Sequence, residues 1–271
     1  MRHCLPVIIT LFLFSSDLTA GNDNHPVGGR SAGMAHSSVT LSDVWAGHQN
    51  QAGLIGLKST TAGIFYENRY LIPELSLKAG IVAMPFKNGV FALSVSNFGF
   101  TLYNESKVGL AYAMKISDKV SAAVQLDYLN TQIGEGYGNK SALAGEAGIR
   151  AELTDALTIG AHIFNPTRAK LSEYNDERVP TIMRLGVDYK FSEKVFVSVE
   201  TLKDMDHKAV FKAGLEYHVI EQLYLRTGIS TNPALNTFGF GLELKQFKID
   251  FATSLHSVLG YSPQLSLTYA F

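Results

Sequence analysis

Residues 106–116, Ser-Lys-Val-Gly-Leu-Ala-Tyr-Ala-Met-Lys-Ile, decide the fold. Every second side chain is large and apolar: Val108, Leu110, Tyr112, Met114 and Ile116. Between them stand Gly109, Ala111, Ala113 and Lys115. A period of two belongs to an extended strand whose two faces meet different surroundings. The pattern recurs outward along the chain. In 141–152, Leu143, Ala147 and Ile149 (with Leu153 beyond) oppose Ala144, Glu146, Gly148, Arg150 and Glu152. In 180–191, Met183, Leu185, Val187 and Tyr189 oppose Arg184, Gly186, Asp188 and Lys190. In 247–256, Phe247, Ile249, Phe251 and Leu255 oppose Lys248, Asp250, Ala252, Ser254 and His256. The apolar faces of these stretches carry no Asp, Glu, Lys or Arg, whereas the opposite faces collect both signs.

Read this way, the chain predicts about fourteen strands: 59–68, 75–85, 89–98, 106–116, 119–129, 141–152, 156–165, 180–191, 194–202, 208–218, 221–229, 236–244, 247–256 and 262–271. Their lengths cluster near the 9–11 residues that a tilted strand needs to cross a bilayer, where soluble strands average five or six. Alternation alone also suits a soluble β-rich periplasmic protein, but two features favour a membrane. Connections after even strands are tight (Ser117–Asp118, Ser192–Glu193, Lys245–Gln246) and those after odd strands are longer (130–140 and 166–179), as in bacterial barrels with short periplasmic turns. Aromatic residues also gather near strand ends: Tyr66, Tyr70, Phe86, Tyr103, Tyr128, Phe164, Tyr189, Phe191, Tyr217 and Tyr261. An unpaired sheet edge in hydrocarbon costs several kcal/mol per orphan group, so the sheet must close on itself. The expectation is an all-β, closed antiparallel transmembrane barrel over 58–271 in the outer membrane of a Gram-negative bacterium, surrounded by lipid, with both termini periplasmic.

Composition agrees. The 271 residues are 46% hydrophobic and only 17% charged, with a formal net charge of −1; soluble domains average about 25% charged. The near-neutral balance argues against nucleic acid as a partner. No run of about twenty apolar residues marks a helical span. Residues 1–20 (MRHCLPVIITLFLFSSDLTA) have the layout of a secretory signal peptide, with cleavage near Ala20 or Gly21. The single cysteine, Cys4, leaves with it, which removes disulfides and thiol chemistry.

Residues 21–57 differ in composition from the strand-patterned chain beyond them, being rich in Gly, Ser, Asn and His and holding the only tryptophan, Trp45. A barrel of fourteen strands has a lumen that its own side chains do not fill, and this segment suits a hatch or plug within it. The inward charges Lys78, Glu146, Arg150, Arg184, Asp188, Glu200, Lys212, Glu216, Arg226 and Glu243 are expected to pair across strands or with the plug. Their mixed signs argue against a strongly ion-selective pore.

The run GGRSAGMAHSSVTLSDVWAGHQNQAGL (28–54) resembles the N-terminal hatch of FadL-like outer-membrane proteins and is nearest the PorV/PorQ branch. Arg30, Met34, Asp43, Asn50, Ala52 and Leu54 match that pattern, whereas Gln51 stands for its usual proline and Ala35 for its glycine. Asn97-Phe-Gly-Phe-Thr-Leu-Tyr-Asn-Glu105 is similar to the aromatic-glycine segment of the family. The resemblance implies one of two non-catalytic jobs: a gated conduit for hydrophobic small molecules, or an accessory barrel of a type IX-like secretion system with a secretion-system protein as partner. It also implies hatch-positioning roles for Arg30, Met34, Asp43, Trp45, Asn50, Gly53 and Leu54. Phe98, Gly99 and Phe100 would bend the third strand beside the hatch, since glycine relaxes a strand interior. The last residues place Leu265, Leu267, Tyr269 and Phe271 on one face, resembling the signal read by the outer-membrane barrel-insertion machinery.

The eight histidines show no HExxH or His-x-His spacing, so no metal or other cofactor is expected. There is no Gly-x-Ser-x-Gly elbow, which leaves an outer-membrane lipid hydrolase as a remote alternative and an open fourteen-stranded porin as the nearer one.

Overall fold

A computed structural model describes residues 24–134, 138–170 and 178–271; the predicted export signal lies outside this range. Fourteen antiparallel strands close into a barrel: β1 (Thr61–Asn68), β2 (Ser76–Phe86), β3 (Gly89–Phe100), β4 (Tyr103–Lys115), β5 (Val120–Ile133), β6 (Gly138–Glu152), β7 (Leu157–Phe164), β8 (Ile182–Lys190), β9 (Val195–Asp204), β10 (Val210–Ile220), β11 (Leu223–Ser230), β12 (Leu235–Leu244), β13 (Phe247–His256) and β14 (Gly260–Ala270). Each strand pairs with its sequence neighbour, and β1 closes on β14 from Thr61↔Ala270 to Glu67↔Gln264. No backbone edge is left over at the seam, as hydrocarbon requires.

The alternation sorts the faces. Val108, Leu110 and Met114 of β4, Val124 and Leu126 of β5, and Met183, Leu185 and Val187 of β8 are exposed on the outside. Their sequence neighbours face inward and are buried, including Lys107, Asp127, Glu146, Arg184, Asp188 and Glu200. Burial of both charge signs together with exposure of the large aliphatics inverts the soluble pattern and forms a lipid-facing belt.

Four details depart from the sequence reading, the first being that Phe164, grouped there with the interface aromatics, is fully buried on the inward face of β7 beneath Lys107. The hairpin between β5 and β6 is extended where a loop is expected from 130 to 140: Asn130 through Ile133 continue the ladder opposite Gly138–Ser141, and the Asn130 amide donates to Ser141 Oγ at 2.9 Å. Lys78 faces outward and is exposed rather than facing the lumen. The inward face of β2 is Leu77, Ala79, Ile81 and Ala83, because an apolar cluster of the N-terminal segment packs there. Gly99 takes φ +102 at the penultimate residue of β3, beside the turn into β4, so the irregularity sits at the strand end and not in its interior.

Residues 24–57 lie inside the barrel. Their only regular pieces are a one-turn helix α1 (Gly29–Ala32) and two 3-10 turns, Val44–His48 and Gln51–Gly56. Asp43 starts the first turn by accepting from Trp45 N at 2.9 Å, and Asn50 starts the second by accepting from Ala52 N at 3.3 Å; these side chains satisfy donors that a helix start leaves open. Asn24, the first described residue, sits beside Lys107 in the half nearer the loops, whereas Phe271 follows β14 at the turn end and donates its N–H to Thr60 O.

Candidate functional site

The lumen site is the contact between residues 24–57 and the inward faces of the strands. Apolar packing holds one half. Trp45, Val44, Ala52 and Leu54 are buried against Phe65 of β1, Ile81 and Ala83 of β2, Val90 and Ala92 of β3, and Ala111 and Ala113 of β4. Gly63 of β1 leaves the room that the Trp45 ring fills, since a Cβ there would lie 2.9 Å from the ring, and Trp45 meets Phe65 edge-on at 6.0 Å. Truncating a buried tryptophan to alanine typically costs about 3–5 kcal/mol.

Charge pairing holds the other half. Arg30 of α1 donates to both oxygens of Glu216 on β10, at 2.8 and 2.9 Å, and reaches Asp43 at 3.5 Å. Arg226 of β11 donates to Glu216 at 2.6 Å and to Asp250 of β13 at 2.7 Å. Burial would lower the Arg30 pKa, but Glu216 and Asp43 together hold it raised. Glu200 of β9 accepts the backbone N–H groups of Ser38 and Val39 at 2.7 and 2.9 Å and Lys212 Nζ at 3.2 Å. On the far wall Glu146 of β6 gathers Lys107 Nζ at 2.5 Å, Gln51 at 2.7 Å, His162 at 2.8 Å and Gln125 at 3.2 Å. Such buried carboxylates are tolerable because each is paired and hydrogen-bonded.

The other hatch candidates are seated by packing and by backbone contacts. Met34 is fully buried over Gly214 and Gly228, where a Cβ at either glycine would come within 2.4 and 2.5 Å of Met34 atoms. Asn50 donates to Val39 O at 2.6 Å and Ile149 O at 3.1 Å. Gly53 passes so near the Leu41 carbonyl oxygen that a Cβ would lie 2.1 Å from it, and Leu54 is fully buried. Phe98 stacks on His25 at 4.4 Å and lies under the Arg69 guanidinium at 4.9 Å; Gly99 and Phe100 end β3 beyond it. Arg150 of β6 donates to Thr40 O and Glu152, each at 2.7 Å. Glu243 lies at the turn end, where it accepts from Tyr224 at 2.9 Å. Leu265 and Phe271 are exposed on the outer face. Sequence reading gave no lumen role to Lys107, Asp127 or Gln51 and did not pair His25 with Glu105 (3.2 Å). Lys107 and Asp127 share inward parity with Ala111 and Gln125, a signal available from the alternation alone.

Cavities flank the segment at both ends of the barrel. At the loop end a vestibule of about 660 Å³ is walled by Ile182, Leu202, Val210 and Leu235 and floored by Pro26, Ala35 and His36, with Arg69 and Lys208 among its polar residues. At the turn end a cavity of about 260 Å³ is lined by Val44, Trp45, Leu57 and Phe247 and edged by Lys58 and Lys245. Helix α1 packs on β12, β13 and β14 between the two. Ser31 and His36 touch at 3.3 Å, but the buried Ser31 hydroxyl donates to Gly28 O at 2.9 Å and braces α1.

The barrel shares its architecture with solved hydrocarbon channels. It superposes on the toluene transporter TodX of Pseudomonas putida with TM-score 0.67 at 12% identity, over 92% of this chain and 99% of that one. The fold is the one these channels have. The monoaromatic hydrocarbon channel CymD gives TM-score 0.66 at 11% identity, covering 90% and 97% of the two chains. A FadL homologue of Pseudomonas aeruginosa gives 0.64 at 14% identity, covering 91% and 99%. No family model and no curated protein matches the sequence.

Proposed function

We propose that this protein is a FadL-like outer-membrane conduit for hydrophobic small molecules, with residues 24–57 as its hatch. The vestibule carries this reading: a mostly apolar cavity open at the loop end, floored by the hatch, in a barrel built like hydrocarbon channels. Concave apolar sites with a few polar groups are the usual form of a small-molecule site. The hatch stands between this cavity and the one at the turn end, so passage requires α1 to shift off β12–β14. The turn end faces the periplasm, where tight connections belong. Hatch roles fall to Arg30, Asp43 and Asn50 as polar anchors and to Met34, Trp45, Gly53 and Leu54 as packing residues.

The test is uptake of the apolar dye N-phenylnaphthylamine by cells carrying the protein in their outer membrane. Faster entry than in cells lacking it, abolished by Leu202→Arg in the vestibule wall, supports the conduit. Equal entry overturns it. Co-isolation of an exported protein with the barrel from native membranes, with no dye effect, would point instead to the PorV/PorQ-type secretion role. Steady nanosiemens conductance of the intact protein would point to an open porin.

A further inference from the structure

Arg184 lies on the inward face of β8 and is 2% exposed. Among the described residues it makes no hydrogen bond or ion pair, and its Nε is enclosed without an acceptor. An arginine cannot escape by shedding its proton, and a buried charge without a counter-charge is strongly unfavourable. The carboxylates that could serve are committed elsewhere. Both oxygens of Glu200 are taken by Lys212, Ser38 N and Val39 N. Both oxygens of Glu146 are taken by Lys107, Gln125, Gln51 and His162. Arg184 feels the Glu200 carboxylate without touching it, but it also feels Lys212, which takes that carboxylate, and Lys107, and it stands near His36, so the cations around it outnumber the one acid it senses and favour a further negative charge.

The position borders the vestibule through its neighbours. His162 and Leu202 are the cross-strand neighbours of Arg184. Leu202, His36 and Ile182, one inward step along β8, all line the vestibule. Arg184 therefore sits directly beneath the vestibule floor, and Lys208 above it, which makes no ion pair among the described residues, is placed to draw in anions. The acids at that level are engaged: Glu67 accepts from Arg69 at 3.1 Å and Asp204 pairs with His207 at 2.8 Å.

We propose that Arg184 is the seat of an anion site under the vestibule floor. It takes a small inorganic anion or the anionic end of a molecule standing in the vestibule. A planar guanidinium with five donors suits either. The site does not depend on transport, and a negative dye-uptake result leaves it standing.

Crystals of the full-length barrel grown in sodium bromide test it by anomalous diffraction, with a bromide peak expected within hydrogen-bond reach of the Arg184 Nη atoms. Equimolar benzoate separates the sources: loss of the peak means that organic anions reach the site from the vestibule, and persistence means that a free ion holds it. In heat-modifiable gel migration, bromide in place of gluconate at equal ionic strength is expected to raise the wild-type midpoint by about 3 °C or more. Arg184→Met should lose that anion dependence and should unfold later than wild type in gluconate. If the Met variant does not fold, Arg184→Lys should still show a weakened bromide response. No bromide peak, or the same anion response in wild type and Arg184→Met, overturns the site and leaves lumen water as the partner of Arg184.

Discussion

Arg30 and Glu216 meet fork to fork, with Nη2–Oε1 at 2.8 Å and Nε–Oε2 at 2.9 Å, and so tie a one-turn helix of the lumen segment to the inward face of β10. A four-residue helix has almost no stability of its own, since the cost of its first turn is not recovered over so short a length. The seat of α1 is therefore set by what Arg30 grips.

Arg30→Ala leaves Glu216 paired with Arg226, so the loss is that of the charge-assisted hydrogen bonds from Arg30, about 1.5–3 kcal/mol. The barrel should remain closed while the lumen segment loosens. Planar-bilayer recordings should show brief openings absent from the wild type, and a double-mutant cycle with Glu216→Gln should give coupling of at least about 1 kcal/mol. Additive effects would mean that the pair does not hold the helix.

Gly214→Ala and Gly228→Ala each push a methyl into atoms of Met34. Overpacking of this kind costs about 1–3 kcal/mol. Because the offended residue belongs to the segment, the loss should appear as segment release without barrel unfolding. The readout is protease nicking within 24–57 beside unchanged heat-modifiable migration. A barrel that unfolds earlier while its segment stays protected would contradict the seating described.

His48 is buried beside Trp45, with ring centroids 6.2 Å apart, and can donate Nε2–H to Gly80 O at 3.3 Å. Burial, with help from Lys107, lowers its pKa from 6.5 to about 4. The seated state thus excludes a proton that the released imidazole accepts below pH 6.5. Seating is fully supported above that pH and weakens as pH falls toward 4, by at most about 3 kcal/mol. Trp45 emission, which reports a single site, should shift to the red over that window. His48→Gln should remove that part of the shift, and an unchanged profile would refute the assignment.

Lys78 stands on the outer face near the loop end, opposite Tyr66. A lysine there can extend its amine toward the headgroups, so Lys78→Leu should change stability by no more than about 1 kcal/mol. A lumen-facing lysine would lose far more. Urea titration in detergent micelles measures the difference.

Much of this architecture was legible because membrane strands need two unlike faces. Alternation located β13 to the residue and β8 to within two, started β4 three residues late, and marked Glu200, Glu216 and Arg226 as inward. It misplaced Lys78 because parity says only that two faces differ; on β2 the inner face is the apolar one, to match Trp45 and Leu54. The rule that charges point inward is a statement about what fills the lumen, and that filling comes from a segment with no strand pattern to read. The pairing of Arg30 with Glu216, 186 positions away, carries no local trace either. It arises from the closure of the barrel and from where a one-turn helix comes to rest.

The strands are not of one length. β4, β5 and β6 run to 13, 14 and 15 residues, whereas β1, β7 and β11 have 8 each. The surplus stands at the loop end, so the mouth is a slanted spout with a tall parapet on one flank and a low sill on the other. The vestibule draws its strand lining from β8–β10, β12–β14 and the end of β1, on the low side. On the proposed conduit reading, a greasy molecule dissolved in the surrounding leaflet has its shorter way to the cavity from that flank.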